Sequence, residues 1–353
     1  MATNRYESKN VLFVALSGIG NFLMQLPTIE AFKEARPKAR ITVWVAPRGT
    51  KVVAEASPFI DSVIEAPIKT SLLGHIQMNW KLAQRRFDTG IVLSPGQLVK
   101  SAAYTFLAGI PIRVGNTYPF RGQQHSRFLL THPVIEEENR HDIEQNLCLL
   151  EPLQIPTENF WNASYHLHVP EDHQVKAREF LKQKRIPTDK HLVGIHAGSA
   201  PDFPWKRWPL DRFSTVARHL IDKQNAHVLL FGGPDEDSQK EELRQLINHS
   251  AVTSVSAPLL TTAAIMRHLK YVITNDSGLM HLAAASGVKV FGFFGPTDEI
   301  KTGPRGIAST VIRAENTVPV YNTEENYNLG SGPHETMLSI TPELVISTIL
   351  TAS

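Results

Sequence analysis

One cysteine, Cys148, occurs in 353 residues. An intramolecular disulfide and a cysteine-built metal cage are thereby excluded, and a reducing compartment, hence a cytoplasmic location, is expected. No stretch of eighteen apolar residues occurs. The apolar run after the polar start, Val11 to Leu16, is too short for a signal-peptide core or a membrane span. Charge of one sign is also missing: 36 Lys and Arg against 34 Asp and Glu leave +2. That is no polybasic footprint, so nucleic acid is not expected as a partner, although a phosphate-bearing ligand needs only local charge. Short-period repeats and low-complexity tracts are absent. What remains is an ordinary globular composition, 42% hydrophobic and 20% charged, on a length that implies two domains.

Short β-branched apolar runs alternate with segments of helical period through the whole chain. Strands are predicted at Val11–Leu16, Ile41–Ala46, Ser62–Ala66 and Gly90–Ser94, then at Leu192–His196, His227–Phe231, Val252–Ser256, Tyr271–Thr274 and Val288–Phe294. Continuous apolar strands separated by helices mean parallel sheets covered on both faces. Two such sets predict an α/β protein of two doubly wound domains, 1–168 and 169–353, facing a central cleft. A final helix from Pro342, capped by Thr341, is a candidate to pack back on the N-terminal domain. The stretch Glu315–Pro333 reads as a long loop.

In open α/β sheets ligands bind beyond the carboxyl ends of the strands, so motifs there carry most weight. Ser17-Gly18-Ile19-Gly20-Asn21 follows the first strand as a glycine turn opening a helix. It is a poor dinucleotide fingerprint, with Leu23 at the third glycine position and no carboxylate closing the second strand. Asn275-Asp276-Ser277-Gly278-Leu279-Met280-His281 joins a strand to a helix start. Its amides at Ser277, Gly278 and Leu279 suit a diphosphate; Asp276 suits sugar hydroxyls, and His281 a phosphate. The bland reading is a helix cap with a packing histidine. After another strand, His196-Ala-Gly198-Ser199 is followed by Lys206-Arg207-Trp208-Pro209, giving close backbone approach together with positive charge. Gly232-Gly233-Pro234-Asp235-Glu236 brings a carboxylate, Asp235 or Glu236, fit for a ribose diol or for a simple N-cap. Phe294-Gly295-Pro296-Thr297 borders the same edge.

These segments, in this order and spacing, resemble glycosyltransferase family 9, which includes the ADP-heptose:lipopolysaccharide heptosyltransferases. The opening Gly18-Ile-Gly-Asn-Phe-Leu-Met-Gln-Leu-Pro27, the segments Gln97-Leu-Val-Lys100-Ser and Arg113-Val-Gly115, and the helix from His141 are similar to the family's N-terminal half. The resemblance implies the GT-B fold and an inverting transfer of a sugar, a heptose by family habit, from a nucleotide diphosphate such as ADP-heptose to a hydroxyl acceptor such as lipopolysaccharide core. It implies a donor site in the C-terminal half made of Gly198, Ser199, Lys206, Asp235, Ala257, Asp276, Ser277, Gly278, Leu279 and His281. Ala257 would meet the base and Asp235 the ribose. Gly18, Gly20, Lys100 and Arg121 would form the acceptor side. No metal or other cofactor is implied, and a glycolipid acceptor implies peripheral contact with the inner membrane, although no clear amphipathic basic helix stands out in the N-terminal half.

Two departures qualify the resemblance. The family's proposed general base is an Asp in the opening loop, and Asn21 occupies that position; an amide cannot take a proton near neutral pH. Asp88, His75, Glu30 or donor phosphate could substitute. The alternative is a nucleotide-sugar-binding protein with impaired catalysis. Many relatives also carry cysteines in the region of Glu315–Pro333, and this chain has none there. A nicotinamide oxidoreductase built on Gly18–Asn21 ranks below both readings.

Overall fold

The computed structural model describes residues 8–47, 49–67, 71–96, 98–117, 124–161, 165–187, 189–320 and 328–352. The chain divides into two compact units, Met1–His168 and Val169–Ser353. In the first, β1 (Asn10–Ala15), α1 (Ile19–Ala35), β2 (Arg40–Val45), α2 (Thr50–Ala56), β3 (Ser62–Glu65), α3 (Leu72–Gln84), β4 (Thr89–Val92), α4 (Leu98–Leu107), β5 (Ile112–Thr117), β6 (His132–Ile135) and α5 (Asp142–Leu147) follow in order. The strands are parallel, in spatial order β3-β2-β1-β4-β5-β6. Five of the six residues of β1 are fully buried, as a strand covered on both faces requires.

The second unit runs α6 (Glu171–Gln183), β7 (His191–His196), α7 (Leu210–Gln224), β8 (Ala226–Leu230), α8 (Asp237–Ile247), β9 (Val252–Ser254), α9 (Leu259–Met266), β10 (Tyr271–Asn275), α10 (Gly278–Ala285), β11 (Lys289–Phe293), α11 (Glu299–Thr302), β12 (Thr310–Ile312), α12 (Glu335–Leu338) and α13 (Pro342–Ala352). Its parallel sheet has the order β12-β11-β10-β7-β8-β9. Both sheets therefore share one topology. The winding direction reverses between β1 and β4 in the first and between β7 and β10 in the second. At such a reversal the connections leave to opposite faces, and an open crevice is left above the strand ends.

Three strands escape the sequence pattern. β5 carries Arg113 and Gly115 where an apolar run would advertise a strand. β6 contains Pro133, tolerated because β6 forms a sheet edge. β12 is an edge strand of three residues. The final helix, α13, buries Val345 and Ile349 completely in the second unit's core, against α7. Its start is as expected, the Thr341 hydroxyl accepting the Leu344 amide at 3.2 Å. Part of the Glu315–Pro333 loop, residues 321–327, lies outside the described residues.

Candidate donor site at the β7–β10 strand ends

Asn275, the last residue of β10, ties the two central strand ends together. Its side-chain amide donates to the carbonyls of Ala197 (2.7 Å) and Gly198 (3.2 Å), and its Oδ1 accepts the Trp208 amide at 3.0 Å. The loop after β7 is thereby fixed over β10. Trp208 anchors it from below, packed edge-on against Phe213 and Phe293.

Asp276 and Lys206 meet in this frame. Lys206 Nζ donates to Asp276 Oδ2 at 2.7 Å, and the carboxylate is buried. Burial pushes the Asp276 carboxyl upward. The Lys206 ammonium and a bond from Thr297 outweigh it and hold the group below its usual value. Asp276 is thus an ionised acceptor. His281, one turn into α10, is driven down to about 4 by burial, against the opposing pull of Asp276. It is neutral at physiological pH, offering a ring N–H but no charge.

Ser277 caps α10, its Oγ accepting the Met280 amide at 3.3 Å. The amides of Gly278 and Leu279 then lack an intrahelical acceptor, as helix geometry requires, and all three residues are half-buried rather than sealed. No acidic residue occupies the first turn of α10, so its positive pole is uncompensated within the helix.

A relay of hydrogen bonds runs behind that pole. His196 Nδ1 lies 3.1 Å from Ser277 Oγ, and Nε2 lies 3.1 Å from Glu236 Oε2. One tautomer satisfies every partner: Nε2–H donates to Glu236 while Nδ1 accepts from the Ser277 hydroxyl, since Thr274 Oγ1 donates to the Asn275 carbonyl. Burial raises the Glu236 carboxyl. The His196 bond, the Gly233 amide (2.8 Å) and Arg207 lower it further, and the balance is a shift downward. The sequence left Asp235 and Glu236 as equals. In the fold Glu236 turns inward onto His196, and Asp235 is exposed at the mouth of the β8 loop. Only the neighbourhood of β7 and β8 separates them, and nothing in the local sequence reports it.

Ser199 and Arg207 are bonded to each other. Ser199 is buried, its hydroxyl donating to the Phe203 carbonyl at 2.7 Å and accepting from Arg207 Nε at 3.1 Å. Both hold their loop. Ala257 follows β9 and is half-buried, its carbonyl accepting the Thr262 hydroxyl. Along the carboxyl edge the residues expected on the donor side therefore lie in the order β10, β7, β8, β9.

In the first unit, Gly18 is the exposed N-cap of α1, with no side-chain cap and no acid in the first turn. Gly20 is buried and Asn21 half-buried in that turn. Lys100 is exposed near the start of α4, beyond the neighbouring strand β4. Arg121 lies outside the described residues. The substitute bases fare differently. Asp88 sits at the opposite, amino edge of the sheet, accepting the Lys9 and Asn10 amides at 2.8 Å each, and so is remote from Asn21. Glu30 has a carboxyl raised by burial and by Glu34. It is nine residues further along α1, about 14 Å by helix rise. The His75 ring is bonded to the Tyr104 hydroxyl.

The description of glycosyltransferase family 9 (heptosyltransferase) matches residues 76–328. The chain is 28% identical to lipooligosaccharide heptosyltransferase 2 of Haemophilus influenzae, over 96% of this chain and 97% of that one. Among solved structures, a family 9 glycosyl transferase from Veillonella parvula superposes with a TM-score of 0.79 at 22% identity, covering 99% of both chains. The ADP-heptose lipopolysaccharide heptosyltransferase II of Escherichia coli superposes at 0.76 and 23% identity, covering 97% of this chain and 98% of that one. The shared architecture is GT-B, with two Rossmann-like units.

Proposed function

The chain belongs to glycosyltransferase family 9, and on that premise we propose that it moves a heptose from ADP-heptose to a hydroxyl of a lipopolysaccharide-core acceptor with inversion at the anomeric carbon. The observation that carries the donor side is the half-buried N-terminus of α10, with no acid in its own first turn, beside the Asp276–Lys206 pair. A nucleotide diphosphate sugar laid along the carboxyl edge puts its diphosphate on the amides of Ser277, Gly278 and Leu279. The ribose then reaches the β8 loop and the base reaches Ala257, three strand spacings or about 14 Å away.

In this reading the acceptor hydroxyl oxygen attacks the anomeric carbon as the bond to the diphosphate oxygen breaks. The leaving charge is taken up by the α10 pole and the Lys206 ammonium, which are fixed before reaction; no divalent ion is assigned. Asp276, ionised, accepts from donor-sugar hydroxyls and orients the ring. The first unit supplies the acceptor side through Gly18, Gly20 and Lys100. The hydroxyl proton has no carboxylate to go to at position 21, and inversion sets the leaving diphosphate on the opposite face of the anomeric carbon, so the proton passes to water on the acceptor side.

The test is transfer from ADP-heptose to a lipopolysaccharide-core acceptor. Asp276→Ala should abolish turnover while leaving the fold intact, and retained turnover would remove Asp276 from the site. Asn21→Asp should raise the rate about a hundredfold or more, within the range a positioned base contributes; an unchanged rate places the proton's path elsewhere. Asn21 also favours a second reading, a nucleotide-sugar-binding protein without turnover. ADP binding by calorimetry with no single-turnover product would select it.

A further inference from the structure

Lys240, one turn into α8, is only 7% exposed. Lysine is almost never buried to that degree unless its ammonium is paired. Here each of its N–H groups has an acceptor. Nζ donates to the Gly232 carbonyl at 3.1 Å and to the Val255 carbonyl at 3.2 Å, and it pairs with Asp237 Oδ1 at 2.8 Å. Asp237 lies one turn back on the same helix and is exposed. The two carbonyls belong to different strand ends, Gly232 following β8 and Val255 following β9.

The end of the sheet sets the place of this bridge. β8 and β9 pair as far as Leu230 and Ser254, and the Val255 amide closes the ladder on the Leu230 carbonyl at 2.8 Å. Beyond that bond the chains part, β8 into the turn at Gly232 and β9 toward Ala257. Carbonyls cannot bond to each other, so a cationic donor shared by residues 232 and 255 replaces the ladder bond that is missing. Gly232 makes room for the lysine stem, since a Cβ added there would fall 3.1 Å from Lys240 Cδ. Asn275 joins the ends of β7 and β10 in a comparable way, through one side chain on two carbonyls.

We propose that Lys240 is a positioning residue for the nucleoside half of the donor, fixing the β8 loop, where the ribose is placed, against the β9 end, where the base is placed. The inference deepens the transferase reading and rests on it. Lys240 touches no ligand, because its donors are all taken within the protein. What it governs is a spacing. Ribose and base are covalently joined, so two loops held at their matched separation bind both without first being ordered. The diphosphate contacts are aimed by α10 itself, which follows β10, with β7 between it and β8. They do not need the lysine.

The test is calorimetric titration of the full chain with ADP and, separately, with inorganic pyrophosphate. Lys240→Met keeps an apolar stem and removes the donors. It should weaken ADP binding about tenfold, the contribution of one charge-assisted hydrogen bond, and leave pyrophosphate binding unchanged. In transfer from ADP-heptose, KM for the donor should rise by the same factor while kcat holds. Lost stability alone would not separate the two ligands. Ile349→Ala, which opens a cavity in the second unit's core at α13, should lower stability and leave both affinities as they were. Lys240→Gln keeps an amide donor and should show the same selective loss at about threefold; it carries the test if the methionine variant does not fold. Unchanged ADP affinity in the Lys240 variants, or a loss shared equally by pyrophosphate, overturns the proposal. Failure of the wild-type chain to bind ADP would overturn the donor reading on which it rests.

Discussion

The Glu236 carboxylate occupies the space a side chain on residue 198 would need: a Cβ added to Gly198 falls 1.6 Å from Glu236 Oε1. The glycine after β7 is therefore explained within the protein, before any ligand is considered. It lets a carboxylate from the β8 loop reach His196, and through His196 the hydroxyl that caps α10.

Gly198→Ala should swing Glu236 away and break its bonds to His196 and to the Gly233 amide. A loss of about 1–3 kcal/mol in unfolding free energy is expected, the cost of leaving such partners unpaired. In a Glu236→Ala background the same substitution should cost clearly less, because the obstruction has gone. Equal costs in the two backgrounds, measured by denaturant unfolding, would contradict the relay.

Lys206→Met leaves the buried Asp276 carboxylate without its cation. A loss of about 3 kcal/mol is expected at pH 7, as when one partner of a buried pair is removed. In the native protein the Asp276 carboxyl is held below its unfolded value, so its stabilisation is present above about pH 3.9 and is lost as the pH falls through the folded pKa. In the variant, burial is no longer opposed by the ammonium and the carboxyl rises. Its destabilisation is then full at neutral pH and shrinks on acidification. Unfolding at pH 7 and at about pH 5 should show the deficit narrowing; a constant deficit would mean the pair does not control Asp276. ADP affinity should also fall about tenfold.

His281→Gln separates the buried imidazole from its surroundings. With a folded value of about 4 against an unfolded one of about 6.5, the native protein loses stability as the pH drops from the higher value to the lower, because only the unfolded chain takes up the proton. The loss amounts to about 3 kcal/mol at most. The variant lacks that titration, so the stability of native protein minus variant should decline across this interval. Parallel pH curves would place His281 in a more solvated site.

Legibility followed locality. Nine strands, the cap at Thr341 and the strand-end motifs at Gly198, Asp235 and Asp276 were readable, because each rests on residues within one turn or one strand of each other, whereas the cap of α10 falls on Ser277 and not on Asp276. Asn21 was identified from the resemblance alone. β5, β6 and β12 were not readable: an arginine, a proline and shortness hide strands that neighbouring backbone nevertheless pairs.

The sequence by itself determined that two parallel sheets form and that phosphate-seeking turns follow their strands, since periodicity and turn chemistry are short-range properties of the chain. Tertiary structure alone decided which turns meet. Residues 206 and 276 are brought to 2.7 Å, and 196 to 236, because β10 and β8 flank β7. Strand order is set by the burial of whole faces and by crossover handedness, which no local window of residues records.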